Sequence, residues 1–244
     1  MRFLKISLLF LSISAFSQNN FTTPFERGNG NQSTTYEECI AFYEKLDESF
    51  ANIQMIHKGT TDSGKPLHLV LFSNEGKFDF DEYFTKNKAV ILINNGIHAG
   101  EPDGIDATMM LMRDLAMGKI KTAKNTLIAA IPVYSVGGML NRNSHSRANQ
   151  NGPEEYGFRG NARNYDLNRD FIKSDTKNSR SFQKLFTELN PDIFLDNHVS
   201  NGADYQYTFT CIATQHERLG NTLGNYFINE LYPSVVKDMN KKKI

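Results

Sequence analysis

An imidazole and a carboxylate stand three residues apart in INNGIHAGEPDG, residues 93–104, where His98 and Glu101 follow the apolar run KAVILIN. A second imidazole, His198, follows another apolar run, DIFLD. In open α/β sheets ligands bind outside the carboxyl ends of the strands, so the three side chains converge if these two strands are neighbours. Two histidines and one glutamate suit catalytic zinc, with a fourth position open for water. The alternative is an accidental HxxE spacing and a hydrogen-bonded loop histidine.

Alternating apolar strands and amphipathic helices predict how these loops are positioned. IQMIHKG and PLHLVLFS, joined by a polar turn, are typical of two strands, and AVILIN, apolar on both faces, of a buried third. TLIAAIPVY predicts another buried strand, and PDIFLDNHVS and YQYTFTCIA predict two more. A capping-box pattern and helical periodicity predict four helices, namely residues 36–50, Asp103–Met117, Lys177–Leu189 and a last helix from about Gln215.

Together these elements predict an α/β fold, with a mixed, mostly parallel sheet sandwiched by helices. The domain is expected to run over residues 34–244, without an internal repeat or a dividing linker. From Ser135 to Asp170 the chain is polar, rich in Asn, Gly and Arg, and shows no clear period. A structureless stretch of this length inside a compact domain is usually functional.

Composition and the N-terminus limit the partners and the compartment. The 27 basic and 27 acidic residues balance, which argues against nucleic acid as the main partner, because phosphate binding usually shows as a basic excess. Residues 1–17 are typical of a secretory signal peptide, so we expect a secreted or periplasmic protein without a membrane span. Residues 18–33 are polar and glycine-rich and are predicted to be a flexible leader. Export permits a disulfide, but the spacing of Cys39 and Cys211 does not decide whether they pair.

Four motifs in a fixed order, NNGIHAGEPDG, RANQNG, NYDLNRDF and LDNHVS, resemble those of the zinc carboxypeptidase family, the carboxypeptidase A-like metallopeptidases. The resemblance covers roughly residues 34–240. It implies one Zn²⁺ per chain, held by His98, Glu101 and His198. It also implies hydrolysis of C-terminal peptide bonds by metal-activated water, on peptide or protein substrates with a free C-terminus.

The resemblance assigns roles to further residues. Asn168 and Arg169 match the pair that holds the substrate's terminal carboxylate, and Arg147 matches the arginine that polarises the scissile carbonyl. A planar guanidinium grips a carboxylate through two parallel hydrogen bonds, which Lys cannot reproduce. Because the spacing between Arg147 and Asn168 is longer than in the family, Arg142 is a rival for the carbonyl-polarising role. The alternative for Arg169 is a surface salt bridge with Asp166 or Asp170.

The general base is not recognised in the sequence. In the family it is a glutamate on a strand well beyond the third zinc ligand, whereas only 46 residues follow His198, and neither Glu217 nor Glu230 matches that context. We therefore expect the C-terminal strands of the fold to be missing and the chain as given to be weakly active or inactive. Two alternatives stay open: an aspartoacylase-like deacylase or amidase, and a non-catalytic metal- or peptide-binding fragment. Substrate preference and oligomeric state cannot be read from the sequence.

The other four histidines are weaker candidates for a functional site. His57 and His68 lie in predicted strands and are interpreted as structural residues. His145 lies in the polar stretch, where it is a weaker candidate for the cleft, and His216 is expected to face solvent.

Overall fold

The computed structural model describes residues 21–86, 88–200, 202–203 and 205–242. The chain divides into two units, Met1–Val199 and Ser200–Ile244. The predicted signal peptide, residues 1–17, lies outside the described residues, so export stays a prediction. Among the described helices none is long and apolar enough to cross a bilayer. Both cysteines are free, Cys39 in the core and Cys211 exposed.

Five strands of the first unit form one mixed sheet, in the order β1-β2-β4-β3-β5. Their bounds are β1 (Ile53–Thr60), β2 (Pro66–Ser73), β3 (Ala89–Asn94), β4 (Thr126–Ile131) and β5 (Ile193–Asp196). β2 is antiparallel to both β1 and β4, whereas β3 runs parallel to both β4 and β5. The predicted α/β class is confirmed. Parallel pairing is confined to the three strands that begin or end helical crossovers, as expected for parallel neighbours.

Six α-helices in the described part of the first unit surround or flank the sheet. They are α1 (Pro24–Arg27), α2 (Tyr36–Ser49), α3 (Phe80–Thr85), α4 (Asp103–Ala116), α5 (Val136–Leu140) and α6 (Lys177–Leu189). The predicted capping box is formed at α2, where Thr35 accepts from the Glu38 amide and the Glu38 carboxylate accepts from the Thr35 amide. The short α3 and α5 were not predicted, because they are too brief to show a helical period.

Apolar layers cover both faces of the sheet. Consecutive strand residues point to opposite faces, so Phe72 and Leu71 of β2 belong to different clusters. One face packs against α2 and α4, and the methionine-rich stripe of α4, including Met109 and Met112, is fully buried there. The other face packs against α6 through residues such as Phe182. The methionine stripe is therefore core packing.

The segment expected to be a flexible leader is folded over its described part. We call residues 21–35 the N-terminal strap. Phe21 is buried in the main core, and Thr23 and Glu26 form a capping box at α1. Arg113 of α4 donates hydrogen bonds to the Phe21 carbonyl and to the Glu26 carboxylate. Composition alone did not show that Phe21 anchors the strap in the core, or that main-chain contacts hold the strap in place.

A strand that was predicted in the second unit is not formed by its described residues. YQYTFTCIA, residues 205–213, was predicted to be a strand, but its described residues form bends and belong to no strand. An extended segment needs a hydrogen-bonded neighbour to become a strand, and no described residue of this unit supplies one. The predicted last helix is present as a run of helical turns, His216–Leu219, Gly220–Tyr226 (α7), Phe227–Leu231 and Tyr232–Lys242 (α8).

The buried carboxyl of Asp106 on α4 gives a prediction about stability. It accepts a hydrogen bond from the Thr34 amide at 3.2 Å, and burial raises its pKa to about 7. The ionised group therefore destabilises the fold increasingly as pH rises from the unfolded-state pKa towards 7. Asp106→Asn keeps the acceptor oxygen without the charge, so urea unfolding at pH 8 should show it more stable than wild type by roughly 1–4 kcal/mol, with the difference shrinking towards pH 4.

A matched control lies on the same helix. Hydrogen bonding to Arg113 lowers the pKa of Asp114, so Asp114→Asn should be less stable than wild type at pH 8. Equal or lower stability of Asp106→Asn at pH 8 would contradict the assignment of a destabilising buried charge.

Candidate metal centre

The carboxyl ends of β3 and β5 bring the two histidine loops to one edge of the sheet. The parallel register pairs Asn94 with Asp196, and the Asn197 amide continues it by donating to the Asn94 carbonyl at 3.0 Å. His98 and Glu101 follow β3, and His198 follows β5. β3 and β5 are neighbours in the sheet, which is the condition for the three side chains to converge.

A buried asparagine cross-links the elements beneath the site. The Asn95 side chain donates to the Ile131 carbonyl at the end of β4 and accepts from Thr108 of α4 and from the Asn197 amide group. Its three partners lie at 3.0, 3.1 and 2.8 Å. Asn95 therefore fixes the residue that immediately precedes His198. Neither asparagine was recognised from the sequence, although Asn197 directly precedes His198 and Asn95 stands three residues before His98.

The two histidine ligand candidates both contact the carboxylate of the third, Glu101. His98 Nδ1 lies 3.0 Å from Glu101 Oε1, and His198 Nδ1 lies 2.8 Å from Glu101 Oε2. One ligand atom from each of the three residues lies within 4.8 Å of the others. Ligand atoms of a tetrahedral zinc site, at about 2.0–2.2 Å from the ion, are themselves roughly 3–3.5 Å apart. The donor set and its spacing therefore fit one Zn²⁺ with small adjustments.

The second ring nitrogen of each imidazole, Nε2, contacts the carboxylate of an aspartate. His98 Nε2 lies 2.9 Å from Asp166 Oδ1, and His198 Nε2 lies 3.1 Å from Asp196 Oδ2. A carboxylate on the second ring nitrogen fixes the tautomer and orientation of a metal-ligating histidine. These two aspartates were missed as partners of the histidines. Their positions were the available signal: Asp166 begins the DLNR motif, and Asp196 stands two residues before His198.

The electrostatics of the centre follow from these contacts. Burial by itself would raise the pKa of Glu101, but hydrogen bonds from His198, His98 and the Val199 amide outweigh it and hold that pKa well below its usual range. Hydrogen bonds to Asp196 and Glu101 raise the pKa of His198 to about 9. At neutral pH the metal-free centre thus holds an ionised Glu101 and a protonated His198. A binding cation must displace the His198 proton.

Two arginines flank the carboxylate. Arg147 donates from Nη1 to Glu101 Oε1 at 3.1 Å and from Nε to Gln150 at 2.7 Å. Arg159 donates to Asp166 from Nε and Nη2, and its Nη1 lies 3.9 Å from Glu101 Oε1. Arg159 was not singled out in the sequence, although it also precedes the DLNR motif. Both guanidiniums add positive charge beside the centre.

Arg142, the rival of Arg147, is used elsewhere. Its guanidinium donates to the main-chain carbonyls of Ser33, Thr34 and Glu155. Among the described contacts it makes none with the three ligand candidates. The structure therefore brings Arg147, and not Arg142, to the centre.

The pair assigned to the substrate carboxylate lies next to the centre. Asn168 and Arg169 belong to a 3₁₀ turn, Leu167–Arg169, and the Asn168 amide donates at 2.9 Å to the same Asp166 oxygen that holds His98. The Arg169 side chain is exposed and donates only to the Asn168 carbonyl among its described contacts. The alternative salt bridge is not formed, because Asp170 accepts hydrogen bonds from Thr176 instead.

The other histidines of the first unit make no described contact with the three ligand candidates. His57 and His68 face each other across β1 and β2, with ring centroids 4.7 Å apart. Burial and the neighbouring His57 lower the pKa of His68 to about 4, in keeping with a neutral structural residue. His216 is exposed, as predicted. His145, the weaker candidate for the cleft, is exposed as well.

Comparison with known proteins places this fold and site in a family. Residues 39–210, more than half of the chain, match the family model for zinc carboxypeptidases. The chain therefore belongs to the zinc carboxypeptidase family.

Individual relatives are distant and longer. Carboxypeptidase 2 of Trichophyton rubrum is 27% identical over 117 residues, which is 47% of this chain and 19% of that protein, and the Trichophyton equinum enzyme is 28% identical over the same share. Among solved structures, carboxypeptidase A from Helicoverpa armigera aligns with a TM-score of 0.54 at 17% identity, over 69% of this chain and 46% of that one. Bovine thrombin-activatable fibrinolysis inhibitor, in complex with tick carboxypeptidase inhibitor, aligns with a TM-score of 0.54 at 16% identity, over 78% and 69%. These structures establish the carboxypeptidase A-like fold, and the chain matches about a fifth of its curated relatives' length.

The first turn of α4 gives a test of how the centre is positioned. A Cβ added at Gly104 would overlap Asn197 Cβ, so Gly104→Ala must displace the residue before His198. Alanine favours helix, so α4 itself should not suffer. We expect zinc affinity, measured by competition with a chromophoric chelator, to fall roughly ten- to a hundredfold. Ala107→Ser, on the exposed side of the same helix, is the control, and unchanged affinity of Gly104→Ala would refute this positioning.

Proposed function

We propose that this chain carries the metal-binding and substrate-carboxylate-binding part of a zinc-dependent metallocarboxypeptidase. The observation that supports the proposal most is the meeting of His98, Glu101 and His198, with one donor atom from each within 4.8 Å of the others, beside the Asn168–Arg169 turn. The substrate would be a peptide or protein with a free C-terminus.

The three ligand candidates would hold one Zn²⁺ per chain. When bound, zinc polarises a carbonyl group and lowers the pKa of a coordinated water towards neutrality. The chain's own task is to present the ligands in fixed orientation, which Asp166 and Asp196 do through the distal imidazole nitrogens. Burial of Glu101, 3% exposed, keeps competing water away from the ligand carboxylate.

The arginines divide into two tasks in this proposal. Arg169, exposed and without a carboxylate partner among the described residues, would grip the terminal carboxylate through its planar guanidinium, assisted by Asn168. Arg147 and Arg159, which lie beside Glu101, would supply positive charge where the attacked carbonyl oxygen becomes negative. Arg147 is the residue that the family motif favours, and Arg159 shares its location.

No general base is identified among the residues that the structure describes. The two aspartates at the centre, Asp166 and Asp196, are each engaged by an imidazole, so neither is offered as the base. We therefore expect the 244-residue chain to bind zinc and carboxylate-terminated peptides but to hydrolyse them weakly or not at all. That same observation favours the non-catalytic binding fragment as the second candidate, whereas the family match does not favour the deacylase. Secretion or a periplasmic location, proposed from residues 1–17, would suit an enzyme acting on external peptides.

The test is binding of matched ligands to the zinc-loaded chain. By isothermal titration calorimetry, an N-acylated dipeptide with a free C-terminus should bind at least about tenfold more tightly than its C-terminal amide, because an ionic, bidentate contact is lost. Arg169→Lys should remove most of that difference. Arg163→Lys is the control, since Arg163 stacks on Tyr165 in the same segment.

Metal content and turnover complete this test. Purified protein should hold close to one zinc per chain, and His98→Ala should lose it. Absence of stoichiometric zinc, or a His98→Ala variant with unchanged zinc content, would defeat the proposal. Substantial zinc-dependent release of the C-terminal residue would eliminate the non-catalytic candidate.

A further inference from the structure

The N-terminal strap is hydrogen-bonded to the loop that carries Arg147. The Glu154 amide donates to the Asn31 carbonyl at 2.9 Å, and Ser33 Oγ donates to the Glu155 carbonyl at 2.8 Å. Ser33 is buried, so this contact is sheltered from water. Residues far apart in sequence thus form one packed junction, although the strap's composition suggested a mobile leader.

Arg142 lies at this junction and joins its two sides. Nη1 donates to the Thr34 carbonyl at 2.8 Å, and Nη2 donates to Ser33 Oγ at 3.0 Å and to the Glu155 carbonyl at 2.8 Å. The Arg142 side chain is 17% exposed. A planar fork of donors can serve carbonyls on both sides at once, which a lysine ammonium cannot do with the same geometry.

The strap is anchored on its other side to the core. The Thr34 amide donates to Asp106 of α4 at 3.2 Å, and Phe21 packs in the main core. The backbone of Thr34 is thereby held on both sides: its amide donates to Asp106, and its carbonyl accepts from Arg142. The strap can therefore act as a fixed support rather than as a passive tail.

Continuous contacts lead from this support to the metal centre. Asn143 and Tyr156 exchange two main-chain hydrogen bonds, at 2.9 and 3.0 Å. The buried Tyr156 hydroxyl accepts from the Arg147 amide at 3.2 Å, and the Arg147 guanidinium reaches Glu101. Two further hydrogen bonds attach this part of the chain to the HxxE loop: Gln150 Nε2 donates to the Gly100 carbonyl at 3.2 Å, and the Gly157 amide donates to the Ala99 carbonyl at 3.2 Å. Neither of them holds the chain on the side of the strap.

We propose that Arg142 is a positioning residue, which clamps the N-terminal strap to the loop 142–156 and so holds Arg147 against Glu101. The consequence is that the strap sets the charge beside a metal ligand. A guanidinium bonded to Glu101 opposes the approach of a divalent cation, so loosening the clamp should strengthen zinc binding. Only this last step rests on the proposed function, since the clamp itself can be measured without metal.

The first measurement is hydrogen exchange on the metal-free full chain. In Arg142→Gln, we expect the amides of Asn143, Arg147, Glu154 and Tyr156 to exchange at least about tenfold faster, while amides of β3 and β4 keep their protection. Arg180→Gln is the matched control. Arg180 lies on α6 and also donates to two main-chain carbonyls, those of Ser174 and Asp175, which do not belong to the strap. Ser33→Ala removes two side-chain hydrogen bonds of the junction, the one to the Glu155 carbonyl and the one from Arg142. It should act in the same direction, and it guards against a clamp variant that does not fold.

The second measurement is a double-mutant cycle on zinc affinity. Arg142→Gln should bind zinc roughly three- to tenfold more tightly than wild type, and this gain should disappear in an Arg147→Gln background, because Arg142 acts through Arg147. A purely structural role would lower stability without this dependence on Arg147. Unchanged exchange of the four amides would overturn the clamp, and a gain that persists without Arg147 would overturn the positioning role. If the protein binds no zinc, the proposed function fails, and the exchange experiment still decides the clamp.

Discussion

A buried carboxylate between two imidazoles is the interaction on which the rest of this site depends. Glu101 is 3% exposed, and an ionised group in that position needs partners because leaving water is costly. His98, His198, the Val199 amide and Arg147 provide them. The arrangement draws together groups from three stretches of chain around one charge. It leaves one donor atom from each of His98, Glu101 and His198 within 4.8 Å of the others, a spacing that fits one zinc ion with small adjustments.

The sheet makes that meeting possible. β3 and β5 run parallel and in register, so the loops that leave their carboxyl ends begin side by side. Asn95 links those ends to β4 and α4, and Asp196 holds the ring of His198 at the end of β5 itself. The polar segment after α5 completes the centre with Arg147, Arg159 and Asp166, and the N-terminal strap supports part of that segment. Function in this fold is therefore assembled from loops that rigid strands position.

Strong periodicity and motif order made part of this structure predictable. α6 has the bounds that its helical period indicated, and β3 and β4 are apolar on both faces because both faces are covered. The three ligand candidates could be proposed from types and spacing, but their convergence depended on strand neighbours, which no local pattern determines. The strand predicted at residues 205–213 failed because alternation shows a preference and cannot supply a partner. The role of Arg142 was hidden for a similar reason, since its acceptors are main-chain carbonyls, which leave no signature in side-chain types.

Zinc K-edge X-ray absorption on the zinc-loaded chain tests the central claim most directly. If His98, Glu101 and His198 are the ligands, the spectrum shows outer-shell scattering from two imidazole rings, with nitrogen and oxygen neighbours at about 2.0–2.2 Å and no sulfur near 2.3 Å. His198→Ala should remove one of the two imidazole contributions. A shell without imidazole scattering, or one that the His198→Ala substitution leaves unchanged, would contradict the metal centre described for this protein.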